Sequence, residues 1–233
     1  MLDAIFAGRH FPADVILWAV RWYCRYPLSY RNVEEMLEER GAYLDHATVA
    51  RWVQVYGAEI ERRLRRQPNK VGTSWRVDET YVKVKGEWTY LYRAVDKQGH
   101  TIDFLLSTKQ DKQAAKRFFE KSLKKPGNPK PEKLNTDKHA AYPPAIDELK
   151  KEGILPENVQ HRRCKVLNNP IESDHARFKQ PLKPMRGFKS FACAENTIAG
   201  MEAMGMLRKR QFTEMSHYKT EVDFIHSLFG LIA

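Results

Sequence analysis

A change of hydrophobic period near residue 70 constrains this chain more than any other feature. Up to Arg66, apolar residues recur at three- and four-residue steps. Beyond Thr73 they alternate, and the segment 67–73 (Gln-Pro-Asn-Lys-Val-Gly-Thr) fits neither pattern. The break implies a helical part, 1–66, a linker, 67–74, and a larger part, 75–211, with 212–233 as a tail. At 233 residues and 42 % hydrophobic content, the chain can build one sizeable core and a small second one.

The helical part reads as three helices between Phe11 and Arg66, with Pro12 suited to a first turn, Ser29 to an N-cap and Gly41 to a stop. In the third, Val49, Trp52, Val53, Tyr56, Ile60 and Leu64 form one stripe, while Arg51, Arg62, Arg63, Arg65 and Arg66 lie mostly off it. A short turn at 42–45 makes helices two and three resemble a helix-turn-helix, whose later helix would enter a major groove. An ordinary three-helix bundle with a solvated arginine face has the same pattern. Trp18, Trp22 and Trp52 all fit helical apolar stripes and are expected in the core.

In the larger part, strand patterns cover 75–85, 88–96 and 101–107, with turns at 86–87 and 97–99, as in an antiparallel meander. A helical pattern at 112–124, a Pro- and Gly-rich loop at 125–131 and a short strand at 133–137 come next. Then 143–152 reads helical, 159–164 extended and 170–179 helical, and a final helix spans 192–210 after Pro181 and Pro184. Strands followed by alternating helix and strand give a mixed α/β layer structure. Met201, Met204 and Met206 on the last helix read as packing residues.

Forty Lys plus Arg against 29 Asp plus Glu give a net charge of +11, which favours a polyanionic partner, with nucleic acid ahead of anionic membrane. A basic soluble protein is also compatible with that balance. No apolar run approaches the roughly 20 residues of a membrane span, and the amino terminus lacks a signal-peptide pattern. A cytoplasmic, nucleoid-associated protein without a membrane partner is expected. Cys24, Cys164 and Cys193 suggest neither a disulfide framework nor a zinc site, since His161 and Cys164 have ligand-like spacing but no second pair.

Three acidic residues carry the chemical hint. By strand alternation, Asp78 shares a side with Thr80, Val82 and Val84, whereas Glu79 shares one with Tyr81, Lys83 and Lys85, so Asp78 is expected to point inward. A carboxylate on an apolar strand face is costly unless paired or bound to metal. Asp137 ends a strand before the loop 138–141, where ligands gather in α/β sheets, although an Asp capping that turn reads equally well. Glu172 sits near a helix start behind Pro170, which alone is ordinary helix-terminus chemistry. Lys179, seven residues on, would share a helix face with Glu172.

Taken together, Gly8-Arg9-His10-Phe11-Pro12, Ser29-Tyr30-Arg31-Asn32-Val33-Glu34-Glu35, Trp75-Arg76-Val77-Asp78-Glu79-Thr80-Tyr81, Asn135-Thr136-Asp137 and Ile171-Glu172-Ser173-Asp174-His175 resemble the DDE transposases, specifically those of the bacterial insertion-sequence family numbered six. The resemblance covers nearly the whole chain, and its motifs are specific jointly rather than singly. It implies an RNase H-like mixed sheet with flanking helices, preceded by a small all-α helix-turn-helix domain. It also implies that Asp78 and Asp137 are the catalytic and metal-binding aspartates and Glu172 the matching glutamate. The 34 residues at 138–171 make a spacing similar to the family's own. Lys179 matches the basic position that in such enzymes looks toward transposon-end DNA. Arg210 and Asn32 depart from the pattern where a glycine and an aspartate are usual, both peripherally.

Three hard carboxylates suit Mg2+ or Mn2+ better than zinc, and two such ions can stabilise charge on the oxygens entering and leaving phosphorus. The implied activity is hydrolysis at the element's end followed by strand transfer, without a nucleoside triphosphate, since no GxxxxGK[ST] loop is present. His175 and Asn169 are expected around the carboxylates, although a satisfied structural histidine is the plainer reading of His175. Lys138, Arg162, Arg163, Arg177, Lys179, Lys183 and Arg186 are expected to hold the DNA backbone, and His46, Thr48 and Arg51 to face bases from the third helix. Double-stranded DNA and a homodimer or higher synaptic complex are the implied partners. A transposase-derived regulator, a nuclease of similar core and a two-carboxylate glycosidase are rival readings. The intact triad argues against the first, and the charge with the helix-turn-helix pattern against the last.

Overall fold

The computed structural model describes residues 4–232, so residues 1–3 of the expected helical part and residue 233 of the tail lie outside the described residues. In chain order the regular elements are α1 (Ala13–Arg25), α2 (Tyr30–Glu38), α3 (His46–Leu64), β1 (Ser74–Val84), β2 (Glu87–Asp96), β3 (Thr101–Ser107), α4 (Lys112–Lys124), β4 (Lys133–Thr136), α5 (Tyr142–Lys151), β5 (Gln160–Arg163), α6 (Asn169–Phe178), α7 (Phe191–Arg208) and α8 (Glu221–Leu228). Backbone contacts divide the chain into two compact units. One holds the residues up to Pro68 and from Phe178 onward, the other Asn69–Arg177.

In the helical unit, local chemistry sets where helices begin. Ser29 Oγ accepts from the Asn32 backbone N–H while Asn32 Oδ1 accepts from that of Ser29, a reciprocal cap that starts α2. Asp45 caps α3 through the Thr48 N–H at 2.8 Å. Gly41, at φ +78°, takes the left-handed conformation between these helices. Pro12 stands at the N-cap of α1, one position before the first turn expected for it. Val49, Trp52, Val53, Tyr56, Ile60 and Leu64 are all buried, as the stripe on α3 implies.

The linear division of the sequence differs from these units in two respects. Helix α7, expected to continue the larger part, packs on α1 and α3. Its residues 197–204, Thr197 and Glu202 among them, are buried without interruption, so it is covered on every side and lies at the centre of a bundle. Gly57 of α3 and Gly200 of α7 permit this close approach, since a Cβ on Gly200 would stand 2.8 Å from Cys24 Sγ and 3.0 Å from Gly57 Cα. The segment read as a tail forms α8, whose Phe224 and Ile225 are buried, as is Phe229 just beyond it. Met201, Met204 and Met206 are buried packing residues.

The other unit is built on one five-stranded sheet in the order β3-β2-β1-β4-β5. β1, β2 and β3 pair antiparallel, and β4 and β5 run parallel to β1. Lys85 and Gly86, both at positive φ, close the β1–β2 hairpin as a two-residue turn whose twist matches the strands. The buried Asp96 carboxylate accepts the N–H groups of Gly72, Gln98 and His100, each at 2.8 Å, which fixes the second turn and the entry to β1. Trp75, Val77, Tyr92, Phe118, Phe119, Leu134 and Tyr142 form the core between one sheet face and helices α4 and α5. Leu167 and Asn168 dock on the opposite face, where Arg76 Nε donates to Leu167 O and Asn168 Nδ2 to Val77 O. This is the expected mixed sheet with flanking helices, preceded in the chain by helices alone.

Candidate active site

Strand register brings the two aspartates together. β1 pairs in parallel with β4 through Arg76 opposite Asn135. Two residues further along each chain stand Asp78 and Asp137, and a two-residue step returns each to the same sheet face. One carboxylate oxygen from each of Asp78, Glu79 and Asp137 lies within 4.8 Å of the other two. Burial pushes Asp78 up to about 6, with the neighbouring charges of Asp137 and then Glu172 adding to the rise. One Asp137 oxygen also accepts the His139 N–H at 2.8 Å, so the turn-capping role and the cluster role coexist.

Glu79 is the acid that strand alternation undervalued. β1 is the central strand with elements on both faces, and Glu79 shares its face with the core residues Trp75 and Val77. Asp78 therefore is not the inward member of the pair, and both are half-buried. Burial pushes Glu79 up to about 7, the neighbouring Tyr142 hydroxyl opposes this, and Asp78 and Asp137 raise it further. The signal lay in Glu79 being in phase with Trp75 and Val77, which the lysines at 83 and 85 obscured.

Glu172 sits in the first turn of α6 and is exposed. Its charge reaches Asp78, but it lies outside the 4.8 Å cluster. A buried ion pair holds its helix: Arg93 on β2, directly opposite Asp78 in the antiparallel register, pairs with Asp174 of α6 at 2.7 Å. His175, one residue on, is buried with Nδ1 3.7 Å from Asp78 Oδ2. Arg93 did not stand out in the sequence and Asp174 did so only within a family motif, because a partner on another element is invisible until the fold is known. Asn169 is exposed at the start of α6. The neighbouring Asn168 is the buried one, joined to Asn135 Nδ2 through its Oδ1.

The donor set fits a divalent metal. Convergent carboxylate oxygens are hard ligands, and their mutual repulsion, which adds to the burial-driven rise of Asp78, is what a cation relieves.

The expected DNA-contacting residues fall into both units. Lys138, Arg162, Arg163 and Arg177 are exposed in the sheet unit, where Arg163 donates to Lys138 O at 2.6 Å. α6 ends at Phe178, so Lys179 lies beyond the helix and the two-turn spacing from Glu172 does not extend to it. Lys179, Lys183 and Arg186 are exposed in the helical unit. His46, Thr48, Arg51 and Arg186 are brought together around one pocket there. His46 Nδ1 stands 3.5 Å from Glu34, and Arg51 donates to Thr48 Oγ1 at 2.7 Å. Among the described residues, no helix is long and apolar enough to cross a membrane.

Comparison with known proteins accords with this geometry. Residues 72–211 match a family model described as a DDE domain. The chain is 38 % identical over 213 residues to a Staphylococcus aureus transposase for insertion sequence-like element IS431mec, covering 91 % of this chain and 92 % of the relative. It has the same identity and coverage with the S. aureus transposase for insertion sequence element IS257 in transposon Tn4003. A looser likeness, at TM-score 0.42 and 17 % identity, links 58 % of the chain to 84 % of an HTLV-2 integrase catalytic core domain solved with magnesium. The matched DDE domain and the near-full-length relatives place the chain in the DDE transposases of the bacterial insertion-sequence family six.

Proposed function

We propose that this transposase cleaves DNA at the ends of an insertion sequence and joins the freed strands to target DNA, with Asp78, Asp137 and Glu172 as the carboxylates that hold Mg2+, or Mn2+ in its place. The observation that carries the reading is the approach of the Asp78 and Asp137 carboxylates, within 4.8 Å in a cluster that includes Glu79. Bound there, divalent ions would supply charge stabilisation to the oxygens entering and leaving phosphorus.

The chain's own residues prepare that site. The β1–β4 register sets Asp78 beside Asp137, and the Arg93–Asp174 pair fixes the helix that carries Glu172. Glu79 and Tyr142 support the cluster from the opposite sheet face. His175 Nδ1, 3.7 Å from Asp78, orients that carboxylate. Lys138, Arg162, Arg163 and Arg177 hold phosphates without reading bases.

In the helical unit, α2, the turn after it and α3 act as a helix-turn-helix on the terminal repeats, with His46, Thr48 and Arg51 on the first turns of the reading helix. Lys179, Lys183 and Arg186 add backbone contacts. Because two ends must be joined, the working form is a dimer or a larger synaptic complex, acting at the nucleoid.

The test incubates wild type and Asp137→Ala with a supercoiled donor carrying the element's ends, a target plasmid, and Mg2+ or EDTA. Joined products that need the metal and vanish in the variant are expected. Joining that persists in Asp137→Ala, or in EDTA, overturns the assignment.

A further inference from the structure

The helical unit contains a half-open pocket of about 890 Å³ along the amino-terminal half of α3, bounded by the loop 184–189 and by residues 8–11. Its size lies within the range of about 300–1,000 Å³ typical of pockets that enclose a small organic ligand. Arg9, Arg51, Arg186 and Lys189 line it and are exposed, and among the described residues no acidic side chain lines it. Its apolar wall is aromatic. Phe11 stands edge-on to Trp52 at 5.4 Å, and Tyr30 stacks on Tyr23 at 4.0 Å. Phe11 and Tyr30 are only half-buried, so each offers ring surface to a ligand.

Duplex DNA does not fill such a cavity. A double helix accepts a convex protein element into its groove, whereas a concavity accepts a group that protrudes from the nucleic acid. Cations around aromatic rings suit a base and its phosphate together: the base stacks, whatever its identity, and the phosphate meets the arginines and the lysine. We propose that this pocket binds an unpaired nucleotide of single-stranded DNA, exposed where a transposon end has been opened or cut. The inference rests on the DNA-binding reading of the helical unit and adds a second mode to it. Arg51, on the solvent side of α3, then serves the pocket as well as the duplex, which would couple end recognition to the opened state of the end.

The experiment uses the full chain and two fluorescein-labelled probes in EDTA. One is a blunt 20-base-pair duplex, and the other is the same duplex with a four-nucleotide 3′ tail containing 2-aminopurine. Wild type is expected to bind the tailed probe about tenfold more tightly, the gain from stacking one base, and to quench the 2-aminopurine. Phe11→Leu keeps the apolar bulk and is expected to bring the tailed-to-blunt ratio to about one, a ratio insensitive to partial loss of folded protein. Equal binding of both probes by wild type overturns the proposal while leaving duplex recognition intact. Failure to bind either probe overturns the duplex reading as well. If instead wild type shows no tail preference and Phe11→Leu shifts the monomer–dimer equilibrium in sedimentation, the pocket is a contact between copies and the proposal falls.

Discussion

Removing the Asp174 carboxylate tests the reasoning about how α6 is held. The Arg93–Asp174 pair has a 2.7 Å contact with side chains only 2 % and 6 % exposed. At an effective dielectric of about 20, the attraction at that distance is about 6 kcal/mol. Desolvation of two ions costs several kcal/mol each, so the intact pair adds little net stability compared with an apolar pair of equal size. Truncating one member is different, because Arg93 stays buried while this ion pair is lost. A loss of about 3–5 kcal/mol is expected for Asp174→Ala, which in a chain of this size corresponds to a fall of about 6–20 °C in Tm. Asp174→Asn keeps an acceptor and should lose less. The double variant Arg93→Met with Asp174→Leu should recover at least half of the loss. Urea denaturation followed by far-UV circular dichroism measures all three. A loss below about 1 kcal/mol in Asp174→Ala, or a double variant worse than the single one, would refute the clamp.

Three further outcomes are expected. Asp78 and Glu79 titrate above their ordinary range, near 6 and near 7, chiefly because they are buried. Their protonated forms therefore favour the fold, and metal-free protein should be most stable below about pH 4 in this respect and lose that contribution as pH rises through about 7. Mn2+ binds the ionised forms, so its gain in Tm should be larger at pH 8 than at pH 5, and a gain independent of pH would contradict the site. Glu79→Gln should flatten part of that pH dependence in metal-free melts, whereas an unchanged profile would place Glu79 outside the cluster. Gly200→Ala should cost about 1–3 kcal/mol by overpacking, since its Cβ would stand 2.8 Å from Cys24 Sγ. Thermal melts of that variant check it, and an unchanged Tm would mean that α3 and α7 can separate freely.

Much of the architecture was legible because periodicity is a local property. α4 matches its expected bounds, and the strands with α5, α6 and α7 fall within about two residues of theirs, whereas α8 lies in the segment read as a tail. What escaped the sequence depends on partners. Alternation in β1 places Asp78 and Glu79 on opposite faces but does not reveal that both faces are covered. The buried Asn168 and the exposed Asn169 are adjacent and chemically identical, so only packing tells them apart. Helix α7 followed the catalytic motifs in sequence, yet its residues 197–204 need burial all round, which a bundle supplies and one face of a sheet does not. The pairing of Asp78 with Asp137 was stated from family motifs, and its physical cause, a parallel register, needed the sheet order.

The central claim is that Glu172, rather than Glu79, completes the metal site with the two aspartates. Anomalous diffraction from crystals of the protein with Mn2+ and end DNA tests it most directly. Mn2+ is expected to be held by Asp78, Asp137 and Glu172, with Glu79 remaining toward Tyr142. A Mn2+ peak held by Asp78, Glu79 and Asp137, with Glu172 turned to solvent, would contradict it.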